Sequence, residues 1–549
     1  MTKGWGRGVR AWLDADLPAG SPQPTGLEYT LLGLSVAAFL LIGWLGREPT
    51  MIAGGDELIY LELSRSLEQG TYREIFRAGT PLQLQYPPGY PAWLLVVRSI
   101  IGENLDGVKL VNLLLMAGTL VLLYPILRRF LGAVLALAAV VLLALSPGML
   151  MNGGSMMSES LFLFFATVVL TRMVPGHPGI AGGPAVLILL AVVALLTRSV
   201  GLSVLLAVGY WLWSTRRTRS LLVWAIAGLV AGGGWFGYTL LAKSDPTVRS
   251  YAGDFTTGIA PTTSNAVADM ASRLGQNLVR YGTRELQTVL SLPTIPATVA
   301  DNLVWLALLA LLFPIGFLLL WRRWPVAAVF LAAYGVLILI WPWTDGRLLV
   351  PTLPFLLLVL LLGARQATAR LPLTGRALAL GGLVLLLGLG TWSGTWQRLT
   401  QYRDCDRSNP YSSPGCYNEN TLAIIRGAQY LRDHSDSGAI VLTNKPASVH
   451  FLSDRLTEHV SVVLRTPEGR LIKTLEDRKI GFVLLNQTIA TRVSKRLLEA
   501  CGRLEVVARF QPRTLVLALQ PQPVPDAPAC QEMAPFAEEG DELAMPGPP

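Results

Sequence analysis

Long apolar runs separated by short polar turns fill the chain from residue 28 to about 396, and a more even mixture follows. Eleven runs can be bounded: 28–46, 105–127, 131–147, 157–174, 181–197, 199–214, 220–242, 300–320, 325–343, 347–363 and 377–396. A hydrocarbon core about 30 Å thick takes roughly 20 apolar residues of helix, so the pattern predicts about eleven transmembrane helices. The first run is long and no small-residue cleavage site follows it, which argues for a retained span rather than a removed signal peptide. No internal repeat is present.

Three segments lie between or beyond the runs. In the first, 47–104, Gly54-Gly55-Asp56-Glu57 leads into a helical pattern with Ile59, Leu63 and Leu67 on one face, as in a helix lying in the membrane interface. Tyr86-Pro87-Pro88-Gly89-Tyr90-Pro91 then makes a rigid turn into the apolar run 92–101. The second, 243–299, is polar, with a predicted helix around 265–290. The third, 398–520, alternates apolar strands (439–443, 460–464, 482–485) with helices near 421–434, 446–453, 467–478 and 488–500, and closes on a hairpin over 503–519. That alternation predicts a small α/β domain. Residues 521–549, rich in Pro, Ala, Glu and Asp, read as a disordered tail. The expected organisation is an N-terminal segment (1–27), a helical membrane domain (28–397), the α/β domain (398–520) and the tail (521–549).

Composition agrees: of 549 residues, 52% are hydrophobic and 15% charged, against about 25% charged in soluble proteins. Mean hydropathy is +0.47. These values exclude a cytosolic enzyme, a disordered chain and a nucleic-acid binder. The net charge of +9 follows topology instead. With Lys3, Arg7 and Arg10 cytoplasmic, the inner loops hold Arg128-Arg129, Arg216, Arg217 and Arg219, Arg322-Arg323, and Arg365, Arg370 and Arg376. An odd number of spans then places everything after 397 outside. All four cysteines, Cys405, Cys416, Cys501 and Cys530, fall in that outer segment. An even count on the oxidising side predicts two disulfides, with Cys405–Cys416 and Cys501–Cys530 as the local pairing among three possible. The expected location is a multi-pass inner (plasma) membrane protein, its N-terminus cytoplasmic and its C-terminal domain extracytoplasmic.

Four charges stand at one membrane face, and the two basic ones, Arg198 and Arg347, are in short outer turns where that topology disfavours them. Asp56 opens the first outer loop, Glu159 starts the fourth span, Arg198 sits between two apolar runs, and Arg347 precedes the tenth span. Ionisable groups at such places are costly and mark functional sites. Together they predict a polar cavity opening outward. The plainer readings are helix caps for Asp56 and Glu159, and lipid snorkelling or structural pairing for the arginines. Glu57 reads as a supporting or solvent-facing group, Asp345 as a partner for Arg347, and Trp341 and Trp343 as residues that could flank a substrate. None of the four histidines falls at this mouth, and no phosphate-cradling Gly-rich Lys-Ser/Thr loop occurs.

With Asp56-Glu57, the Tyr86–Pro91 turn, Ser158-Glu159 and Gly346-Arg347-Leu-Leu-Val-Pro351-Thr-Leu-Pro354 in this order, residues 28–400 resemble the C-type integral-membrane glycosyltransferases. Within them the chain is similar to the protein O-mannosyltransferase and aminoarabinose lipid A transferase group. The resemblance implies transfer of a sugar from a polyprenyl-phosphate carrier on the outer face, with Asp56 at the reaction centre and Tyr86, Pro88 and Tyr90 in support. Relatives often carry Asp where this chain has Glu159, and the C-terminal domain matches no acceptor signature.

The chemistry is sensible without the family. With no histidine available, Asp56 is the expected base for an acceptor hydroxyl, and Arg198 and Arg347 the expected clamps on the departing phosphate. A single displacement would invert the anomeric carbon. Glu159 would orient the acceptor or hold a divalent ion, although nothing in the sequence requires a metal or other cofactor. Expected partners are the lipid-linked donor, a glycan, lipid or protein acceptor, and membrane lipid. The rival functions are a lipid-linked sugar flippase or transporter, whose charges would sit near mid-membrane in two related halves, and a non-catalytic envelope-assembly scaffold.

Overall fold

Each of the eleven apolar runs carries a helix in the computed structural model, which describes residues 24–51, 55–175, 183–242, 266–291, 299–342, 344–489 and 491–538. The basic N-terminal residues, Gly54, Trp343, His177, most of the loop 243–299 and the last eleven residues lie outside the described parts. Among the described residues six helices are long and apolar enough to cross a bilayer: Gly26–Leu45, Leu105–Leu131, Thr218–Leu241, Leu306–Arg323, Gly346–Ala367 and Leu373–Gln401. A seventh crossing results if Ala133–Ala144 and Pro147–Gly153, bent by 55°, form one span. The remaining apolar helices, Ser158–Arg172, Pro184–Thr197, Leu202–Ser214 and Pro325–Ile340, are shorter. The chain is a multi-pass membrane protein, and length alone supports fewer than eleven full crossings.

Small residues let spans meet backbone to backbone. A Cβ on Gly316 would stand 1.9 Å from the Val359 carbonyl oxygen, and one on Gly363 would stand 2.1 Å from that of Leu312. The helices Val299–Arg323 and Leu353–Ala367 are therefore in backbone contact, beside the segment that carries Arg347.

Beyond the last span lies a five-stranded sheet: β1 Ile440–Thr443, β2 Leu456–His459, β3 Ile480–Asn486, β4 Leu504–Phe510 and β5 Thr514–Leu519. The order is β2-β1-β3-β5-β4, with β2, β1 and β3 parallel and the β4–β5 hairpin antiparallel to β3. One face is covered by helices Leu471–Asp477, Thr491–Leu497 and Pro528–Glu538. On the other, helices Glu419–His434 and Pro446–Ser453 share one hydrophobic core with the first outer loop, where Leu58, Leu61, Tyr90 and Leu94 meet Ile425, Leu431 and Val449. Cys405–Cys416 and Cys501–Cys530 are bonded.

Three readings change. The loop helix Glu57–Glu68 is buried on most of its surface, because it is enclosed by the C-terminal domain instead of lying in the membrane interface. The second strand of the sheet is Leu456–His459, and the expected strand 460–464 overlaps a helix, Ser461–Arg465. Thr457 and Glu458 are buried polar residues, since the edge strand is extended by the first outer loop. Thr457 N and Oγ1 donate to the Phe76 carbonyl at 3.0 and 2.8 Å, Ala78 N donates to the Thr457 carbonyl at 3.0 Å, and Arg77 pairs with Glu458. Finally, the expected disordered tail is ordered as far as 538: Ala529, Met533 and Phe536 bury against the sheet domain, and Cys530 fixes the helix to Cys501.

Candidate functional site

Asp56 follows Gly55, whose φ of +73° an L side chain rarely adopts. It stands at the N-terminus of the helix Glu57–Glu68, yet its side chain caps nothing there. Instead the carboxylate turns away: Tyr86 OH donates to Oδ1 at 2.7 Å, and Arg347 Nη2 donates to Oδ2 at 2.9 Å. At 22% side-chain exposure it is open enough to meet a substrate. The cap reading is thereby displaced.

Arg347 opens a 3₁₀ turn, Gly346–Thr352, that runs into the helix Leu353–Ala367. Asp345 fixes that start by accepting from Arg347 N at 2.8 Å, and its other oxygen lies 3.8 Å from Arg347 Nε. Arg198 breaks the helix Pro184–Thr197 in extended conformation (φ −150°, ψ 139°) before the next turn begins. The two guanidinium groups meet at Glu159, which is fully buried: Arg198 Nη1 lies 2.6 Å and Arg347 Nε 3.4 Å from Oε1. Those contacts are ionic, without hydrogen-bond alignment. Arg198 Nη1 also donates to Ser158 Oγ at 2.8 Å, and Ser158 Oγ lies 3.2 Å from Tyr60 OH. Glu159 lies in the first turn of the helix Ser158–Arg172, where the helix dipole favours an anion.

The expected residues Tyr86, Asp56, Arg347, Glu159 and Arg198 thus converge in one chain, which Ser158 and Tyr60, not predicted as site residues, extend. Tyr60 packs edge-on against Tyr86 and Tyr90, with centroids 5.2 and 4.9 Å apart, and Asn112 holds the Tyr90 hydroxyl at 2.9 Å. Pro88 precedes the helix Gly89–Ile101, whose Gly89 abuts the backbone of Leu196 and Thr197, next to Arg198.

Glu57 stands apart from this chain. It is fully buried rather than solvent-facing, Oε1 accepts from Met156 N at 2.6 Å, and Oε2 has no hydrogen-bond partner. Burial, reinforced by the charge of Glu48, raises its pKa to about 8. Among the described residues no group of three His, Cys, Asp or Glu side chains gathers in a geometry able to hold a metal.

Lys445 escaped the sequence reading. It stands two residues after β1, at the carboxyl end of a parallel pair where ligands gather in such sheets. Its amine is pushed down by burial, with the charges of Asp56 and Glu48 opposing that shift. The C-terminal domain therefore brings a third cation within electrostatic reach of Asp56. An Asn-Lys-Pro step directly after a strand was the available signal.

Residues 85–232 match the family model of dolichyl-phosphate-mannose-protein mannosyltransferases. Among solved structures, the chain resembles ArnT from Cupriavidus metallidurans bound to undecaprenyl phosphate: 15% identity, 91% of this chain and 100% of that one, TM-score 0.51. The fold is that of the C-type integral-membrane glycosyltransferases. The same C-type fold is seen in ArnT without ligand, at TM-score 0.52. The archaeal oligosaccharyltransferase AglB from Archaeoglobus fulgidus, in complex with an inhibitory peptide and a dolichol-phosphate, shares 10% identity over 91% of this chain and 75% of its own, at TM-score 0.50. No curated protein matches the sequence.

Proposed function

We propose that the chain is a membrane glycosyltransferase that moves a hexosyl or pentosyl group from a polyprenyl-phosphate donor to an acceptor on the extracytoplasmic face. The observation that carries this reading is the Asp56 carboxylate, partly open and held between Tyr86 and Arg347. The C-type fold supports it, as do the undecaprenyl phosphate bound to ArnT and the dolichol-phosphate bound to AglB.

The step balances as a single displacement. The acceptor oxygen bonds the anomeric carbon, the bond from that carbon to the phosphate oxygen breaks, and the acceptor proton passes to Asp56. Polyprenyl phosphate leaves with the electron pair, and the anomeric carbon inverts. Charge moves in step with the proton. In the resting site Arg347 is compensated by Asp56 and Glu159, and Arg198 by Glu159. Once Asp56 is protonated, the charge of Arg347 is freed as negative charge grows on the departing phosphate. Arg198 and Lys445 add to the field there. Glu159 keeps two half-buried guanidinium groups together and sets their spacing.

The test is sugar transfer in proteoliposomes with polyprenyl-phosphate sugars and envelope extract as acceptor. Asp56→Asn is expected to bind donor and fold but not transfer. Transfer at the wild-type rate, or a product with retained configuration, would refute the assignment. Lipid movement across the bilayer without transfer by the wild type would favour a transporter.

A further inference from the structure

A second charged cluster lies where the first span ends and the last one meets the C-terminal domain. Arg47 lies flat on Trp44, 3.8 Å from the ring centroid, and donates to the Trp44 carbonyl at 2.9 Å and to Asp106 at 2.8 Å. Arg407, two residues past Cys405, reaches back to the carbonyls of Leu45 and Arg47 at 2.8 and 3.2 Å. Arg398, near the end of the helix Leu373–Gln401, packs its stem over Gly46 and its guanidinium over Tyr402, 5.4 Å from the ring centroid. Three arginine side chains therefore gather around residues 44–47.

Their donors outnumber their acceptors. Arg47 Nε, Arg398 Nε and Nη2, and Arg407 Nη1 are all buried and have no hydrogen-bond partner. The neighbouring Lys109 is already satisfied by the carbonyls of Glu48 and Thr50. Asp106 is engaged by Arg47, and Glu57 is held by the Met156 amide and pushed toward its neutral form. Burial and the charges of Arg47 and Arg398 together push the Arg407 pKa down. Leaving buried guanidinium N–H groups without acceptors is costly, and crowding like charges adds to that cost. A phosphate accepts several such bonds at once and cancels the repulsion.

The surroundings say how that phosphate arrives. Leu41 and Leu45 on the first span and Trp392 and Trp396 on the last are large apolar side chains left exposed. An acyl chain on these surfaces would bring its head to the arginines. We propose that Arg47, Arg398 and Arg407 form a binding site for the phosphate head of a membrane lipid, separate from the Asp56 mouth.

Native mass spectrometry of the full chain tests this, reading retention of dioleoyl phosphatidic acid against dioleoyl phosphatidylcholine, with inorganic phosphate as a separate competitor. Using Asp56→Asn protein makes the result independent of turnover, so it stands or falls apart from the transferase reading. Selective retention of phosphatidic acid is expected, falling about tenfold or more in the double variant Arg398→Gln/Arg407→Gln, in line with loss of charge-assisted bonds. Arg398→Lys keeps the charge and is the fallback if the double variant does not fold; it should lose retention severalfold at unchanged Tm, because a point charge cannot replace the planar fork. Equal retention in folded variants, or no preference over phosphatidylcholine, would overturn the site. Displacement by millimolar inorganic phosphate without any lipid preference would overturn the lipid assignment.

Discussion

The two charged clusters of this protein are built on opposite plans. At the mouth, Arg198 and Arg347 face Glu159, Asp56 and Asp345 within ion-pair distance, and the chain closes on Tyr86 and Tyr60. At the end of the first span, Arg47 engages Asp106 and the Trp44 carbonyl, Arg407 the carbonyls of Leu45 and Arg47, and four buried nitrogens of Arg47, Arg398 and Arg407 lack acceptors. A compensated site of mixed sign can shift charge internally when one proton moves, as chemistry requires. A site short of acceptors is suited to holding an anion that stays.

That contrast can be broken by substitution. The largest effect is expected for Asp56→Asn, which removes the base and should lower transfer by about 10²–10⁴-fold in proteoliposomes. Glu159→Ala comes next, since it leaves the half-buried Arg198 without its counter-charge; a loss of up to about 3 kcal/mol of stability is expected, read as a fall in Tm in detergent. Glu159→Asp, which keeps the negative charge, should keep most of it. Tyr86→Phe deletes one donor to the Asp56 carboxylate and should cost roughly tenfold in kcat/KM without changing Tm. The smallest effect concerns Glu57. Its folded pKa of about 8 is above the ordinary value of 4.5, so its contribution to stability is complete below pH 4.5 and lost as pH rises through 8. Glu57→Gln should flatten that dependence, at most about 1.4 kcal/mol per pH unit, and a Tm series from pH 6 to 9 would show it.

The mouth was legible because membrane segments make misplaced charges conspicuous. Asp56, Glu159, Arg198 and Arg347 each interrupt apolar sequence, and the fold brings all four together. Cysteine spacing likewise pointed to the two bonds that the structure contains. What stayed hidden depends on distant partners. Leu456–His459 carries Thr457 and Glu458, a poor strand signal in isolation, and is ordered by Phe76 and Arg77. Glu57 looks like a solvent-facing first-turn acid until the C-terminal domain covers it. The helix Pro528–Glu538 has the composition of a tail and is held by three apolar residues and one disulfide. Lys445 lies in ordinary loop sequence, and only the docking of the sheet domain gives it a role.

The docking itself has a consequence for how the protein is made. Arg77 and Glu458 meet across 381 residues of chain, and the loop bearing Asp56 shares its core with segments as late as Val516. At about 5–20 residues per second, the loop emerges tens of seconds before its cover exists. During that interval Leu58 and Leu61 have Tyr90 and Leu94 beside them but not Ile425, Leu431 and Val449, and Lys445 has not yet been made. A ribosome that stalls before the sheet domain leaves a chain with its spans inserted and its first loop unsupported. The reaction centre is therefore assembled last, although its central carboxylate is among the first residues translated.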